Sequence, residues 1–189
     1  MKAAGDLADA LASYTAADVR ERESLSRVRA LLSQTRDPFT RKVPDHVTAS
    51  ALVARPDGSA FLLVHHRRLD RWLQPGGHVE PEDSSVFAAA RREAAEETGV
   101  TVFDAPIGPR ILDVDVHPVP PRGGKPGHVH HDVRFLLTTT ASDITPAPSE
   151  VRDARWFTAE EALREGGDES VRRALRKAIA LLPISPGNR

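Results

Sequence analysis

Three glutamates, Glu93, Glu96 and Glu97, stand at i, i+3 and i+4. On a helix those positions share one face. Three carboxylates so close together repel one another unless a cation joins them. Hard divalent ions with all-oxygen shells are the natural partners, and Mg²⁺ takes one or two carboxylates and completes its shell with substrate phosphates. The same residues would also serve as a solvated, Glu-rich helix face, so their surroundings decide between the two uses. Gly76-Gly77 lies upstream, and Gly99 follows the last glutamate by two residues, where a helix stop is expected.

Gly77, Arg92, Glu93, Glu96, Glu97, Gly99 and Val100 fit the pattern Gx5Ex7REUxEExGU, in which U is a bulky aliphatic, and Ala94 fills the first U weakly. The stretch resembles the Nudix box. The similarity to the Nudix hydrolase superfamily runs from about Val47 to Leu163. It departs from the pattern twice. Asp83 stands where the family usually has Glu, and eight residues rather than seven separate it from Arg92. The extra residue falls at Ser84-Ser85, near the expected helix start. A helix cannot take an insertion without rotating its face, whereas a loop or first turn can. The metal-binding face is therefore expected to survive, and a role for Asp83 stays open.

The resemblance implies a metal-dependent pyrophosphohydrolase. It would cleave a nucleoside diphosphate linked to another moiety, either a nucleoside triphosphate or a nucleotide-linked metabolite, by attack of water on phosphorus. Glu93, Glu96 and Glu97, with the backbone carbonyl of Gly76, would hold Mg²⁺ or Mn²⁺. Gly76-Gly77 would let the backbone approach that ion, since no Cβ intrudes. Arg92 would orient a box carboxylate. The general base is Glu93 or Glu150, the latter just before a late strand that carries Trp156. Arg67 and Trp72 precede the box, where the cleft would lie. Arg67 would reach a phosphate and Trp72 would stack on a base, or they would be a solvated arginine and a packing tryptophan.

A second cluster is His128-Val129-His130-His131-Asp132. On a strand, His128, His130 and Asp132 point one way and His131 the other. Three uses are open: substrate contact through His130 or Asp132, a transition-metal site together with His117, or plain strand histidines near the surface.

Elements must position these residues. Residues 47–53 read as a strand, Arg55-Pro56-Asp57-Gly58-Ser59 as a turn, and residues 60–66 as the returning strand. Residues 67–75 read as a polar loop, and a helix is expected from about Ser84 to Thr98, with Val86, Phe87, Ala90 and Ala94 toward the core. Further strands are expected at 100–103, 110–117, 128–139 and 151–157, with loops at 118–127 and 140–149. Thr158-Ala159-Glu160-Glu161 is a capping box that opens a short helix, and a last helix spans 169–182. Upstream, helices are expected at 4–12 and from Thr15-Ala16-Ala17-Asp18, read as an N-cap at Thr15 with an acidic third position, with an apolar stripe of Val19, Leu25, Val28, Leu31 and Leu32. The pattern alone gives a mixed α/β class. The resemblance makes it a Nudix-type α/β/α sandwich at 41–189 with an N-terminal helical extension at 1–40, which would dock on the main domain or build a homodimer.

Composition narrows the partners. The 189 residues suit one domain plus an appendage, and 40% apolar with 28% charged content is ordinary for a soluble chain. A net charge of −1 with dispersed Lys and Arg argues against a nucleic-acid or membrane-surface partner. The absence of Cys excludes disulfides and thiolate chemistry, and suits a cytoplasmic location. Asp6 and Asp9 break any signal-peptide pattern at the N-terminus, and no stretch approaches a membrane span. A non-catalytic nucleotide-binding or sensor module on the same fold is the alternative to an enzyme. The motifs of neither ADP-ribose-hydrolysing nor dinucleoside-polyphosphate-hydrolysing members are supported: Pro118 fits poorly, and the lone tyrosine is Tyr14.

Overall fold

The computed structural model describes residues 2–121, 124, 126–146 and 151–183. Its elements run α1 (Lys2–Ala12), α2 (Val19–Gln34), β1 (Asp45–Ala54), β2 (Ala60–His66), β3 (Arg71–Leu73), β4 (Gly76–His78), α3 (Val86–Thr98), β5 (Asp113–Val119), β6 (His128–Thr138), β7 (Val151–Thr158), α4 (Ala159–Glu165) and α5 (Glu169–Leu181). The seven strands form one mixed sheet of order β3-β2-β1-β6-β5, with β4 paired to β1 and β7 paired to β2.

β1 is the spine. It runs parallel to β6 over the whole register from Asp45↔Val129 to Ala54↔Thr138. Its other edge is divided: β4 takes Thr48, Ala49 and Ser50, and β2 takes Val53 and Ala54. A strand paired on both edges and covered on both faces must be apolar or internally satisfied. Every residue from His46 to Ala54 is accordingly buried. The alternation of side chains divides the core. Ala49, Ala51, Val53, Val133 and Phe135 pack with Val86, Ala89, Ala90 and Ala94 of α3, whereas Leu52, Ala54 and Leu136 pack with Ala174, Leu175 and Ala178 of α5.

Helices α1 and α2 lie on the α3 face. Leu7, Leu11, Leu25 and Val28 belong to the same buried cluster as the sheet. Val19, placed in the apolar stripe by spacing, is instead 61% exposed. The polar residues of α2 do the fixing. Glu21 is fully buried and accepts from the backbone N–H of Val114 at 3.2 Å, and Ser24 Oγ accepts from Val116 N–H at 3.2 Å. These contacts satisfy donors on the outer edge of β5, an edge that would otherwise invite another strand. Lys177 of α5 donates to Glu21 at 2.5 Å, to Tyr14 Oη at 2.7 Å and to Asp113 at 3.2 Å, and Tyr14 also donates to Glu21. Burial pushes the Glu21 carboxyl pKa up, but the bonds from Lys177 and Tyr14 outweigh it and leave the pKa below its ordinary value.

Several expectations need correction. No strand forms at residues 100–103; only Asp104 bridges, to Thr138. Val102 is 72% exposed, so its β-branched character found no surface to pack on. The loop at 67–75 contains β3, which returns along β2 from Val64↔Leu73 to His66↔Arg71. Asp18, not Thr15, caps α2, accepting from Glu21 N–H at 2.8 Å.

The buried Glu21–Lys177 pair gives a stability prediction. Glu21→Ala takes the carboxylate from Lys177 and leaves the N–H groups of Val114 and Ala17 without their acceptor, and is expected to lower the unfolding free energy by about 3 kcal/mol. The measurement is a urea unfolding midpoint, with Val19→Ala as the exposed control expected to shift it by less than ~0.5 kcal/mol.

Candidate active site

α3 owes its position to its two ends. Ser85 is the N-cap and accepts from Ala88 N–H at 3.1 Å. Gly99 is the C-cap at φ 75°, a left-handed conformation that costs glycine nothing, and its N–H reaches Ala95 O at 2.8 Å. The first helical residue is Val86, after the Ser84-Ser85 insertion. The extra residue therefore sits outside the helix and rotates no part of the glutamate face.

The turn before the helix is closed by Asp83. Its N–H reaches Glu80 O at 3.0 Å, and its carboxylate accepts from Glu80 N–H at 2.8 Å. The same carboxylate accepts from one edge of the Arg92 guanidinium with both its oxygens, at 3.1 Å from Nε and 2.9 Å from Nη2. Arg92 spends its other hydrogens on His78 O at 2.8 Å, Glu93 at 3.0 Å and Glu96 at 3.0 Å. One side chain so links the turn, β4 and two of the three box carboxylates. Such a fork geometry is specific to arginine.

The three glutamates differ in exposure. Glu93 is 7% and Glu97 3% exposed, while the Glu96 side chain is 58% exposed. Glu97 accepts from Gly76 N–H at 3.0 Å. A Cβ on Gly77 would lie 2.6–2.8 Å from the Glu93 carboxylate, and one on Gly76 would lie 2.3 Å from Ser50 Cβ. The two glycines thus face opposite sides of β4, and each is there because no side chain fits. The donor set around α3 and β4 is carboxylate oxygen in a backbone cradle, which fits a hard divalent ion.

The remaining expected residues are placed as follows. Glu150 lies outside the described residues. Arg67 is exposed in the loop between β2 and β3. Trp72, half-buried on β3, packs edge-on to Phe157 with centroids at 4.9 Å, and the Arg155 guanidinium sits 5.4 Å from its ring. Asp132 is 4% exposed, and its two oxygens accept from Thr48, Ser50, Gln74 and Arg134 at 2.8–3.3 Å. These protein donors anchor Asp132 inside the sheet. His130 lies among His46, His78, His117 and His128, with ring centroids 4.8–5.6 Å away. Burial, followed by the neighbouring rings and arginines, pushes the His78 pKa down to about 4, and burial also lowers His46 and His130. His131 points to the opposite face and is 3% exposed.

The reading from residues alone missed the Asp83–Arg92 pair and two histidines. Asp83 was visible as a carboxylate at the right place in the box. His46 and His78 carried no signal, because only strand register brings them to His130: His46 pairs with it directly, and His78 pairs with Thr48, two residues from His46.

Known proteins match this arrangement. A NAD-capped RNA hydrolase NudC of Deinococcus radiodurans is 28% identical over 151 residues, 78% of this chain and 49% of its own. The human diphosphoinositol polyphosphate phosphohydrolase 3-alpha is 32% identical over 110 residues, covering 57% of this chain and 60% of that protein. An m7GpppN-mRNA hydrolase NUDT17 of Danio rerio is 33% identical over 98 residues, covering 47% and 32%. The chain thus spans between about a third and three fifths of the length of these relatives. Among solved structures, the MutT NUDIX hydrolase of Burkholderia pseudomallei superposes with a TM-score of 0.54 at 24% identity, covering 69% of this chain and 95% of that one. The NUDIX domain of Shewanella oneidensis NrtR, solved with ADP ribose, does so with a TM-score of 0.52 at 18% identity, covering 70% and 84%. Both structures share the fold. Residues 44–178, well over half of the chain, match the model of the NUDIX domain, and with the box helix capped and seated on its glycines the protein belongs to the Nudix family.

Proposed function

We propose that the chain is a metal-dependent pyrophosphohydrolase that cleaves the phosphoric anhydride of a nucleoside diphosphate linked to another group. The observation that carries this reading is the seating of Glu93 and Glu97, largely buried, against the paired glycines while Glu96 of the same helix face stays open. A merely solvated Glu-rich face would hold all three outward. The names of the relatives support an anhydride substrate, since capped RNA and a diphosphoinositol polyphosphate are joined through linked phosphates.

Glu93, Glu96, Glu97 and the Gly76 carbonyl would hold Mg²⁺ or Mn²⁺. Bound there, a divalent ion supplies charge neutralisation on the diphosphate and a lower pKa for the attacking water. The residues of the chain do the rest. Arg92 fixes the rotamers of Glu93 and Glu96 and balances part of their charge, which leaves it turned away from substrate. Asp83 fixes Arg92 in turn. The proton of the attacking water goes to a carboxylate, Glu93 or Glu150. Arg67 and Trp72, on the loop and strand beside β2, are the proposed contacts to phosphate and base. His130 and Asp132 line the same face of β6; Asp132 acts there through the residues it holds.

The decisive experiment is product identification by mass spectrometry over a panel of nucleoside triphosphates, ADP-ribose, NAD, dinucleoside polyphosphates, a capped RNA and a diphosphoinositol, with Mg²⁺ and with Mn²⁺. Cleavage of at least one anhydride is expected. Tight binding of panel members with no turnover under either metal would overturn the enzymatic reading in favour of a binding module. Glu97→Gln is expected to lower kcat by on the order of 10³ or more. Near-wild-type kcat in that variant sinks the assigned metal role. Gly77→Ala is expected to lower kcat by ~10²-fold or more, since the new methyl displaces Glu93 and misplacement by about 1 Å is enough for such a loss. Arg92→Lys keeps the charge but loses the fork, and an outer-shell loss of about 10–100-fold in kcat or metal affinity is expected. Equal steady-state parameters would show that Arg92 positions nothing.

A further inference from the structure

β4 has two faces, and the box uses only one. Gly77 faces Glu93 of α3, while Gly76 and His78 face the other way, toward Ser50 and His46. On that second face four histidine rings meet from three strands. His46 of β1 stacks on His78 of β4 with centroids 5.2 Å apart and on His128 of β6 at 5.4 Å, and it meets His130 edge-on at 5.0 Å. Nδ1 and Nε2 of His46 are both buried and have no hydrogen-bond partner. A buried polar pair left without a partner costs free energy, and the cost calls for an explanation.

We propose that His46, His78 and His130, with His128 as the fourth donor, form a binding site for a borderline transition-metal ion of the Zn²⁺, Co²⁺ or Ni²⁺ class, separate from the box carboxylates and on the other side of β4. One ring nitrogen from each of His46, His78 and His130 lies within 4.8 Å of the others. The Nε2 atoms of His128 and His130 are 3.0 Å apart. A tetrahedral ion with bonds of about 2.0–2.1 Å needs nitrogens about 3.3 Å apart, so small ring rotations close the set. Nitrogen donors select this class of ion over Mg²⁺, which takes oxygen. An ion there would tie β4 to β1 and β6 from behind, while Arg92 holds the His78 carbonyl from the front at 2.8 Å.

The test uses the full chain, stripped with a chelator and kept in excess Mg²⁺ so that the carboxylate face is saturated. Co²⁺ is titrated and its visible absorption recorded. One equivalent of a tetrahedral, nitrogen-rich spectrum is expected, displaced by one equivalent of Zn²⁺. His130→Asn and His46→Gln are expected to weaken Co²⁺ binding by ~100-fold or more, and Glu97→Gln to leave it within about 3-fold. Because His46 is buried and its variants could unfold, X-ray absorption at the zinc edge of the wild-type protein gives an independent count: three or four imidazoles at about 2.0–2.1 Å are expected. No uptake below ~100 µM, an oxygen-only shell, or binding lost in Glu97→Gln but kept in the histidine variants would each overturn the proposal. The last of these outcomes would place the ion on the box carboxylates and leave the hydrolase reading standing.

Discussion

Carboxylates pressed into a helix–strand junction are the constraint around which this chain is arranged. Glu93 and Glu97 are buried within one turn of each other, and burial of like charges is tolerated only where donors and cations surround them. Three features supply this. Gly76 gives a backbone N–H to Glu97, Gly77 gives room for Glu93, and Arg92 gives a guanidinium to Glu93 and Glu96. Each depends on something further back. The glycines need β4 registered against Thr48–Ser50 of β1, and Arg92 needs Asp83 on a turn of the right length. A one-residue change inside α3 would rotate the glutamates by about 100° and undo all three contacts. The same change at Ser84-Ser85 is harmless because the helix begins after it.

A second set of buried charges holds the scaffold on which that junction sits. Arg134 is 2% exposed and donates to Asp132, Asp113 and both the carbonyl and the hydroxyl of Ser170. Arg173 grips Asp113 with two bonds of 2.8 Å, and Lys177 passes from Asp113 to Glu21. Such a network contributes little net stability compared with apolar packing of equal volume. Its contacts join α2, β5, β6 and α5 to one another. This also accounts for the first 34 residues. Their apolar side chains enter the common core, and their buried polar ones cap the β5 edge.

Local signals were legible in the residues because their causes are local. β2 spans Ala60–His66, an apolar run that follows the Pro-Asp-Gly turn, the Thr158–Glu161 capping box opens α4, and Gly99 ends α3. The glutamate face followed from helical spacing and the motif around it. What escaped depends on pairing between distant segments. β3 is three residues long and exists because β2 offers it an edge. Residues 100–103 have strand-like composition and no edge to join, and Val102 stays in solvent. The partners of Asp132 are of this kind too: the parallel register with β1 turns its carboxylate toward Thr48 and Ser50.

The alternation along Gly76-Gly77-His78 carries the last step. A strand of three residues has no room for a core of its own, yet each of these side-chain positions meets a crowded neighbour: Ser50, the Glu93 carboxylate and the His46 ring in turn. The position of β4 is therefore set from both sides. Any displacement toward α3 drives Gly77 into Glu93, and any displacement away drives Gly76 into Ser50, where a Cβ would already be 2.3 Å from its counterpart. Pinning of this kind is what preorganised charge requires, since a site that must relax before it can act gives back the advantage it holds. The backbone amide and carbonyl of this short strand serve the box, and the side chain of its last residue serves the opposite face. A substitution on either face of β4 is consequently felt on the other.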